Sequence, residues 1–400
     1  MTRTLVLLTN DFPATSGDYA FLRHEIGALA SSFDKVLIYS YKKPTGKLAP
    51  LPQGVDYMGD LASSSRLAIL KGLCHPGTVV RAIRAIKSER KLGRKPTPGN
   101  IFTGIRFAQL IGVNDRPGER TSVYCFWATG AAVAVPFLSK NGPVVVRAHG
   151  YDLFEDRNPN LPLRGSIFAS PNIIAPISEH GRNYILEKYA AVVDPNLVAL
   201  ARLGTEDHGV GPEPAKSFHV VSCSSLADLK RVPLILQAVS EVAETRKVSW
   251  THLGGNGPLL QSLQSSSEEA LLASGGNLSI SLPGQMANEQ VMSFYQHNPV
   301  SVFVNASTTE GVPVSIMEAM SFGIPVVATD VGGTSEILRP EAGILVPPDA
   351  SATKIAEAVL KVGSDRTKPG PQRQLTPRKT WERLSNAKTN TAVIVALLTG

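Results

Sequence analysis

Seven residues separate Glu310 from Glu318 in the stretch Asn305-Ala-Ser-Thr-Thr-Glu-Gly-Val-Pro-Val-Ser-Ile-Met-Glu-Ala-Met-Ser-Phe-Gly-Ile-Pro-Val-Val-Ala-Thr-Asp330. Pro313 suits the first helical position, because its fixed φ fits there and its missing N–H has no intrahelical partner. Gly323 suits the left-handed position past a helix end, and Pro325 forbids continuation. The spacing therefore predicts a helix from about residue 313 to residue 321 or 322, followed by a buried strand over 324–328. Glu310 falls in the loop before that helix, beside the backbone N–H groups of Gly311 and Val312, and Glu318 projects from its second turn. A carboxylate accepts two hydrogen bonds from vicinal hydroxyls, while a helix start attracts negative charge. One Glu could thus hold a sugar ring and the other a ribose, with a phosphate at the helix start. Taken singly, each Glu reads as a solvated residue; the pair beside Gly-Val-Pro and Gly-Ile-Pro turns favours a site.

Other chemistry-bearing residues also follow apolar runs. Gly17, in Thr9-Asn-Asp-Phe-Pro-Ala-Thr-Ser-Gly17, would let a phosphate approach the backbone, or simply make a turn. His149, in Arg147-Ala-His-Gly-Tyr-Asp152, could meet a sugar hydroxyl or serve as a hydrogen-bonded core residue. Ser222-Cys-Ser-Ser-Leu-Ala-Asp-Leu-Lys-Arg231 ends in Lys230 and Arg231. Fixed cations of that kind neutralise a departing diphosphate; the plainer reading is an exposed pair on a first helical turn. In His252-Leu-Gly-Gly-Asn-Gly-Pro258, Gly255 and Gly257 form a strand-end loop, but Leu260 breaks the dinucleotide fingerprint. There is no Walker loop, no Gly-x-Ser-x-Gly elbow and no paired His or Cys cluster, so neither a metal nor a resident cofactor is expected.

Glu310-x7-Glu318, followed by Gly323-Ile-Pro-Val-Val-Ala-Thr-Asp-Val-Gly-Gly333 and Glu336, resembles the signature of the retaining family 4 glycosyltransferases, the glycosyl transferases group 1. Arg147-x-His149-Gly-x-Asp152 resembles the pattern of their exopolysaccharide and capsule members. The resemblance runs from about residue 5 to 362. It implies a GT-B fold: two Rossmann-like, doubly wound α/β domains facing an interdomain cleft. It also implies metal-independent transfer, with retention, from a nucleoside diphosphate sugar to a hydroxyl acceptor. On that reading Glu318 holds the ribose and Glu310 the donor sugar. Lys230, Arg231 and the backbone at Gly17, Gly311 and Val312 stabilise the diphosphate, Gly255 and Gly257 lie near the nucleotide, and His149 lines the reacting face. Many family members carry Arg where this chain has Ser225. An inactive nucleotide-sugar-binding protein and a sugar-nucleotide epimerase are the alternatives, and a nicotinamide enzyme is disfavoured by the missing fingerprint.

The elements that must position these residues alternate along the chain as parallel βαβ units do. Strands are expected over residues 4–8, 35–40, 122–126, 144–147, 173–176 and 197–202, then 219–222, 249–253, 278–282, 300–304, 325–328 and 343–346. The Gly- and Pro-rich stretch 204–216 reads as a hinge. Expected domains are therefore 1–205, a linker 206–216 and 217–375, followed by a C-terminal helix over 376–400, which the family resemblance implies crosses back to the first domain. In doubly wound domains ligands bind at the carboxyl ends of the strands, where all these motifs fall.

Four hundred residues, 43% hydrophobic and 18% charged, describe a globular chain of about two domains. Apolar runs fall short of the roughly 20 residues of a membrane span. No secretory signal is evident, and widely spaced Cys74, Cys125 and Cys223 suggest reduced thiols. A cytoplasmic location is expected. The net charge of +7 is concentrated between Ser64 and Lys95, where nine Lys and Arg residues face one acid, Glu89. Val79-Val-Arg-Ala-Ile-Arg-Ala-Ile86 reads there as an amphipathic helix with a basic face, which suits an anionic membrane surface better than nucleic acid. A merely solvated face is the plainer alternative. A lipid-carried acceptor, such as a polyprenyl-linked glycan, follows as the expected partner.

Overall fold

The structure, a computed structural model, describes residues 2–64, 76–112, 119–139, 141–213, 217–366 and 375–400. Arg66, Lys71 and Cys74 of the basic segment, residues 214–216 of the expected linker and residues 367–374 lie outside them. The chain divides into two compact units: Met1–Leu203 with Lys388–Gly400, and Gly204–Ala387.

The first unit is built on β1 (Thr2–Thr9), β2 (Lys35–Ser40), β3 (Val55–Asp60), β4 (Glu119–Cys125), β5 (Val144–Ala148) and β6 (Ile173–Pro176). They form one sheet in the order β3-β2-β1-β4-β5-β6, with every pairing parallel. Residues 5–8 of β1 and 144–146 of β5 are continuous apolar runs because both faces are covered. Side chains alternate across the sheet: Val6, Leu8, Val123, Cys125 and Val146 enter one core, and Leu5, Leu7, Tyr124 and Val145 enter the other. The second core is completed by Ile394 and Leu398 of the C-terminal helix Ala387–Thr399, and Ser122 Oγ donates to the Leu398 carbonyl at 2.7 Å.

The second unit repeats the plan with β7 (Phe218–Cys223), β8 (Val248–Leu253), β9 (Leu278–Ser281), β10 (Val302–Asn305), β11 (Val326–Thr329) and β12 (Gly343–Val346), ordered β12-β11-β10-β7-β8-β9 and all parallel. In each unit the first strand is flanked by its second and its fourth. The strand order reverses there, at β1/β4 and β7/β10, and the loops leaving those strands diverge to open a crevice.

The structure differs from the sequence reading in three places. Residues 197–202 form no ladder strand: Ala199 N and Ala201 N reach the β6 carbonyls of Ile174 and Pro176, but the Ala201 and Arg202 carbonyls are taken by Arg147. The edge strand β3 goes unnoticed in the sequence because half its residues are polar and Gly59 interrupts it beside a register shift. The expected linker is not free either. Gly211 N donates to the Phe322 carbonyl, and Arg378, on the helix Leu375–Leu384, bonds Asp207 and the carbonyls of Gly209 and Ser321. These bonds hold residues 207–211 and 375–387 in the second unit, so only 388–400 join the first.

Candidate functional site

The β7/β10 crevice of the second unit holds the two carboxylates and the lysine. Lys230 ends a short 3-10 turn after β7, and its Nζ donates to Glu310 Oε1 at 2.6 Å. The same oxygen accepts from Ser307 Oγ at 2.7 Å and Asn305 Nδ2 at 3.3 Å. Backbone bonds tie the two loops together, Thr308 N reaching the Leu229 carbonyl at 2.8 Å. On the other side the Glu310 loop is clamped by Gly332 and Gly333. A Cβ on Gly332, at φ +55°, would lie 1.9 Å from the Glu310 carbonyl oxygen, and Gly333 N donates to the Gly311 carbonyl at 2.7 Å. Only glycine permits that approach.

Arg231 is not brought to this pair. Its left-handed backbone, φ +48°, turns the side chain away from Lys230, and Nε and Nη2 donate to the carbonyls of Ala306 and Pro348 at 2.6 and 2.8 Å. It braces the crevice from behind.

Glu318 sits in the helix Val314–Ser321, which begins one residue later than expected because Pro313 is extended (ψ 109°) and caps the helix. Gly323 takes the left-handed position past its end, at φ +76°. The Glu318 carboxylate is 7% exposed and accepts from Asn288 Nδ2 at 2.6 Å, Asn288 being the first residue of the helix after the β9 loop. Burial first, and then the Glu318 carboxylate, push the Cys223 thiol up to about 12, and the Tyr295 hydroxyl is buried without a hydrogen-bond partner. The amides of Gly311 and Val312 donate to nothing among the described residues, while the Val312 side chain is buried. What these two residues present at the helix start is backbone N–H, suited to an anion.

Gly255 and Gly257 have a packing role. Cβ atoms on them would fall 2.6 Å from Gly284 Cα and 2.3 Å from the Leu226 carbonyl oxygen, so they let the loop after β8 nest against its neighbours.

In the first unit, the motif around His149 is a scaffold. Arg147 is fully buried and bonds Glu25, Tyr124 and the carbonyls of Ala201 and Arg202. Asp152 accepts from His149 N at 2.6 Å and from Ala128 N at 2.7 Å, joining the loops after β5 and β4. The His149 ring, 4% exposed, lies 4.2 Å from that of Trp127, centroid to centroid; its Nδ1 faces Asp152 Oδ2 at 3.6 Å, and Nε2 has no hydrogen-bond partner. A buried polar atom left unmatched is rare in a folded core.

Gly17 stands among carboxylates. A Cβ there would lie 2.6 Å from Asp11 Oδ2; Asp18 accepts from the amides of Asn10 and Asp11, and from Trp127 Nε1 at 2.7 Å. Burial, then the neighbouring Asp18, raise the Asp11 carboxyl above its ordinary value. The helix that follows has only four residues. These surroundings repel phosphate and suit hydroxyl groups.

Thus Lys230 meets Glu310, Glu318 meets Asn288, and Gly17 connects to His149 through Asp18 and Trp127. Sequence reasoning misses Asn288, Ser307, Asp11, Asp18 and Trp127; only the acids flanking Gly17 carry a readable signal. No group of three or more His, Cys, Asp or Glu side chains that could hold a metal ion occurs among the described residues.

Comparison with known proteins bears on this geometry. Residues 205–378 match the family model described as Glycosyl transferases group 1. WcaL of Escherichia coli K12, a glycosyltransferase assigned provisionally to colanic acid biosynthesis, is 25% identical over 230 residues, 54% of each chain. The match to this relative therefore spans about half of its length. A GDP-mannose-dependent alpha-(1-6)-phosphatidylinositol monomannoside mannosyltransferase of Mycobacterium tuberculosis is 23% identical over 393 residues, 92% of this chain and 90% of that one. Among solved structures, the lipopolysaccharide outer core galactosyltransferase WaaB superposes with TM-score 0.67 at 15% identity, covering 98% of this chain and 99% of that one. HepE of Anabaena in complex with UDP gives 0.65 at 14% identity, covering 99% of both chains. The fold is that of the GT-B glycosyltransferases, each unit being one Rossmann-like half.

Proposed function

From the match of residues 205–378 to the family model of the glycosyl transferases group 1, we propose that this protein transfers a sugar, with retention of anomeric configuration, from a nucleoside diphosphate sugar to a hydroxyl acceptor. The observation that carries the reading is the Lys230–Glu310 pair at the β7/β10 crevice, with Glu318 and Asn288 in the same unit.

The donor binds in the second unit. Glu318, oriented by Asn288, accepts hydrogen bonds from the ribose hydroxyls, and Glu310 accepts from the donor sugar. The amides of Gly311 and Val312 meet the diphosphate. Lys230 leaves Glu310 to stabilise the negative charge that grows on the departing diphosphate, a group of donors worth most when fixed in advance. The bond from the anomeric carbon to the diphosphate oxygen breaks, the bond to the acceptor oxygen forms on the same face, and the acceptor proton passes to the leaving phosphate. Charge is balanced by Lys230 and backbone amides, so the reaction runs without a divalent metal.

In the first unit Asp11, Asp18 and His149 serve the acceptor. Gly17, placed by sequence near the diphosphate, is reassigned to this acidic, hydroxyl-binding loop. The acceptor is a lipid-linked glycan of polysaccharide or lipopolysaccharide assembly, reached from the cytoplasmic side of a membrane with the protein bound peripherally. Support comes from the relatives' roles in colanic acid and phosphatidylinositol mannoside synthesis and from the basic segment 64–95. No described helix is long and apolar enough to cross a membrane.

A second reading, nucleotide-sugar binding without transfer, is favoured by Ser225 and by the commitment of Arg231 to two carbonyls, which together withdraw two cations from the diphosphate. Glu318→Ala and Glu310→Gln separate the roles. The first should weaken nucleoside diphosphate binding; the second should lower turnover with binding retained. Unchanged kinetics in both would make the pair structural.

A further inference from the structure

The helix Pro76–Lys91 of the first unit carries a face that its own fold leaves uncovered. Val79, Val80 and Ile83 are 55%, 49% and 49% exposed, and Arg84, Lys87, Arg90 and Lys91 are exposed beside them. At about 100° per residue these seven side chains share one arc of roughly 140°, in which apolar and basic residues interleave. The only acid of the helix points the other way: Glu89 is buried, accepting from Ser166 N at 2.7 Å and Ser166 Oγ at 2.9 Å. Among the described residues, Arg84, Lys87, Arg90 and Lys91 form no ion pair.

Along one edge of this arc runs a groove of about 650 Å³, bounded by Arg81, Arg84, Lys87 and Lys91 on the helix and by Ser139 and Ser170 opposite. That volume suits a ligand of small-molecule size. Burial and the adjacent Arg84 both push the Arg81 guanidinium below its ordinary value. An anion in the groove would relieve that repulsion.

A cationic face alone would suit nucleic acid or any polyanion. Exposed Val and Ile between the cations have no use on a phosphate backbone, but they enter the boundary between lipid headgroups and acyl chains. We propose that this face of the helix lies in the headgroup layer of an anionic bilayer, with a lipid headgroup phosphate seated in the groove of Arg81, Arg84, Lys87 and Lys91. The proposal deepens the lipid-acceptor reading and rests on it for its biological sense, whereas its test stands apart from transfer.

The protein and its Arg84→Gln/Lys87→Gln/Lys91→Gln variant are sedimented with vesicles of phosphatidylcholine, with and without phosphatidylglycerol. Each Lys or Arg at an anionic surface is worth about fivefold in binding, so the triple variant should lose on the order of a hundredfold on anionic vesicles. Val79→Ser/Ile83→Ser should bind anionic vesicles at low salt yet release them at high salt, where the remaining attraction is screened. Unchanged circular dichroism and an unchanged melting curve show that both variants are folded. Equal binding to neutral vesicles, undiminished binding by the triple variant, or displacement from anionic vesicles by duplex DNA at matched phosphate would overturn the proposal. Failure of transfer to any lipid-linked glycan presented in detergent, with vesicle binding intact, would refute the enzymatic reading and leave this one standing.

Discussion

Lys230→Gln removes the cation of the crevice while keeping most of the side chain's length, and its consequences for stability and for turnover separate. The lysine is 22% exposed and Glu310 12%. Without Lys230, Glu310 Oε1 keeps Ser307 and Asn305 as donors. The carboxylate is not stranded, so the loss is that of a partly exposed ion pair, at most about 1 kcal/mol. For a unit of this size that lowers Tm by about 2–4 °C at most. Turnover responds far more, because a preorganised donor aimed at the leaving diphosphate is removed. Loss of one such donor costs about 10²–10³ in kcat, or about 3–4 kcal/mol. Glu310→Gln provides the internal control. It frees Lys230 from its competitor, so nucleoside diphosphate affinity should rise up to about fivefold, the worth of a partly exposed pair, while turnover falls. The assay is nucleoside diphosphate release at saturating donor, with calorimetric binding and a melting curve for each variant. A kcat for Lys230→Gln within about threefold of wild type, against the 10²–10³ expected, would refute the placement of Lys230 at the leaving group.

Further outcomes follow from other contacts. Gly332→Ala places a Cβ 1.9 Å from the Glu310 carbonyl oxygen at φ +55°. The left-handed backbone alone costs about 1–2 kcal/mol, so urea unfolding should show at least that loss together with reduced turnover. Asn288→Ala removes the amide bonded to Glu318, and nucleoside diphosphate affinity measured by calorimetry should fall about tenfold to a hundredfold, the worth of one hydrogen bond to a charged group. His252 is fully buried, its Nδ1 is 2.9 Å from Ser222 Oγ, and burial pushes its pKa from 6.5 down to about 4. The unfolded chain binds this proton below pH 6.5 and the folded chain only below about 4, so stability is intact above 6.5 and declines as pH falls through that window. The full shift corresponds to about 3 kcal/mol. Urea midpoints against pH should show that decline in wild type and a smaller one in His252→Gln.

Much of this architecture is readable in the residues because physical constraints there are strict. Strands such as β1, β5 and β10 are covered on both faces and are therefore built around continuous apolar runs, residues 5–8, 144–146 and 302–304. Pro313 and Gly323 bracket a helix since no other arrangement suits both. Constraint is weaker at β3, where one open edge tolerates Asp56 and Asp60 in a strand, and over 197–202, where the carbonyls go to Arg147 instead of a ladder. At the site, chain proximity misleads. Lys230 and Arg231 are neighbours in sequence, yet one left-handed residue sends their charges to different places. Gly17 announces a close approach without saying to what, and the partner is the Asp11 carboxylate. Asn288 reaches Glu318 from thirty residues away, a pairing that only the folded sheet creates.

The central claim is that the crevice holding Lys230, Glu310 and Glu318 delivers a sugar from a nucleoside diphosphate. Its most direct test is incubation with a panel of UDP-, GDP- and ADP-sugars plus hydroxyl acceptors, with and without chelator, followed by NMR of the product. The account predicts consumption of one donor class at a rate indifferent to chelator, and a product whose anomeric configuration equals the donor's. Strict metal dependence, an inverted linkage, or an epimerised nucleotide sugar as the sole product would contradict it.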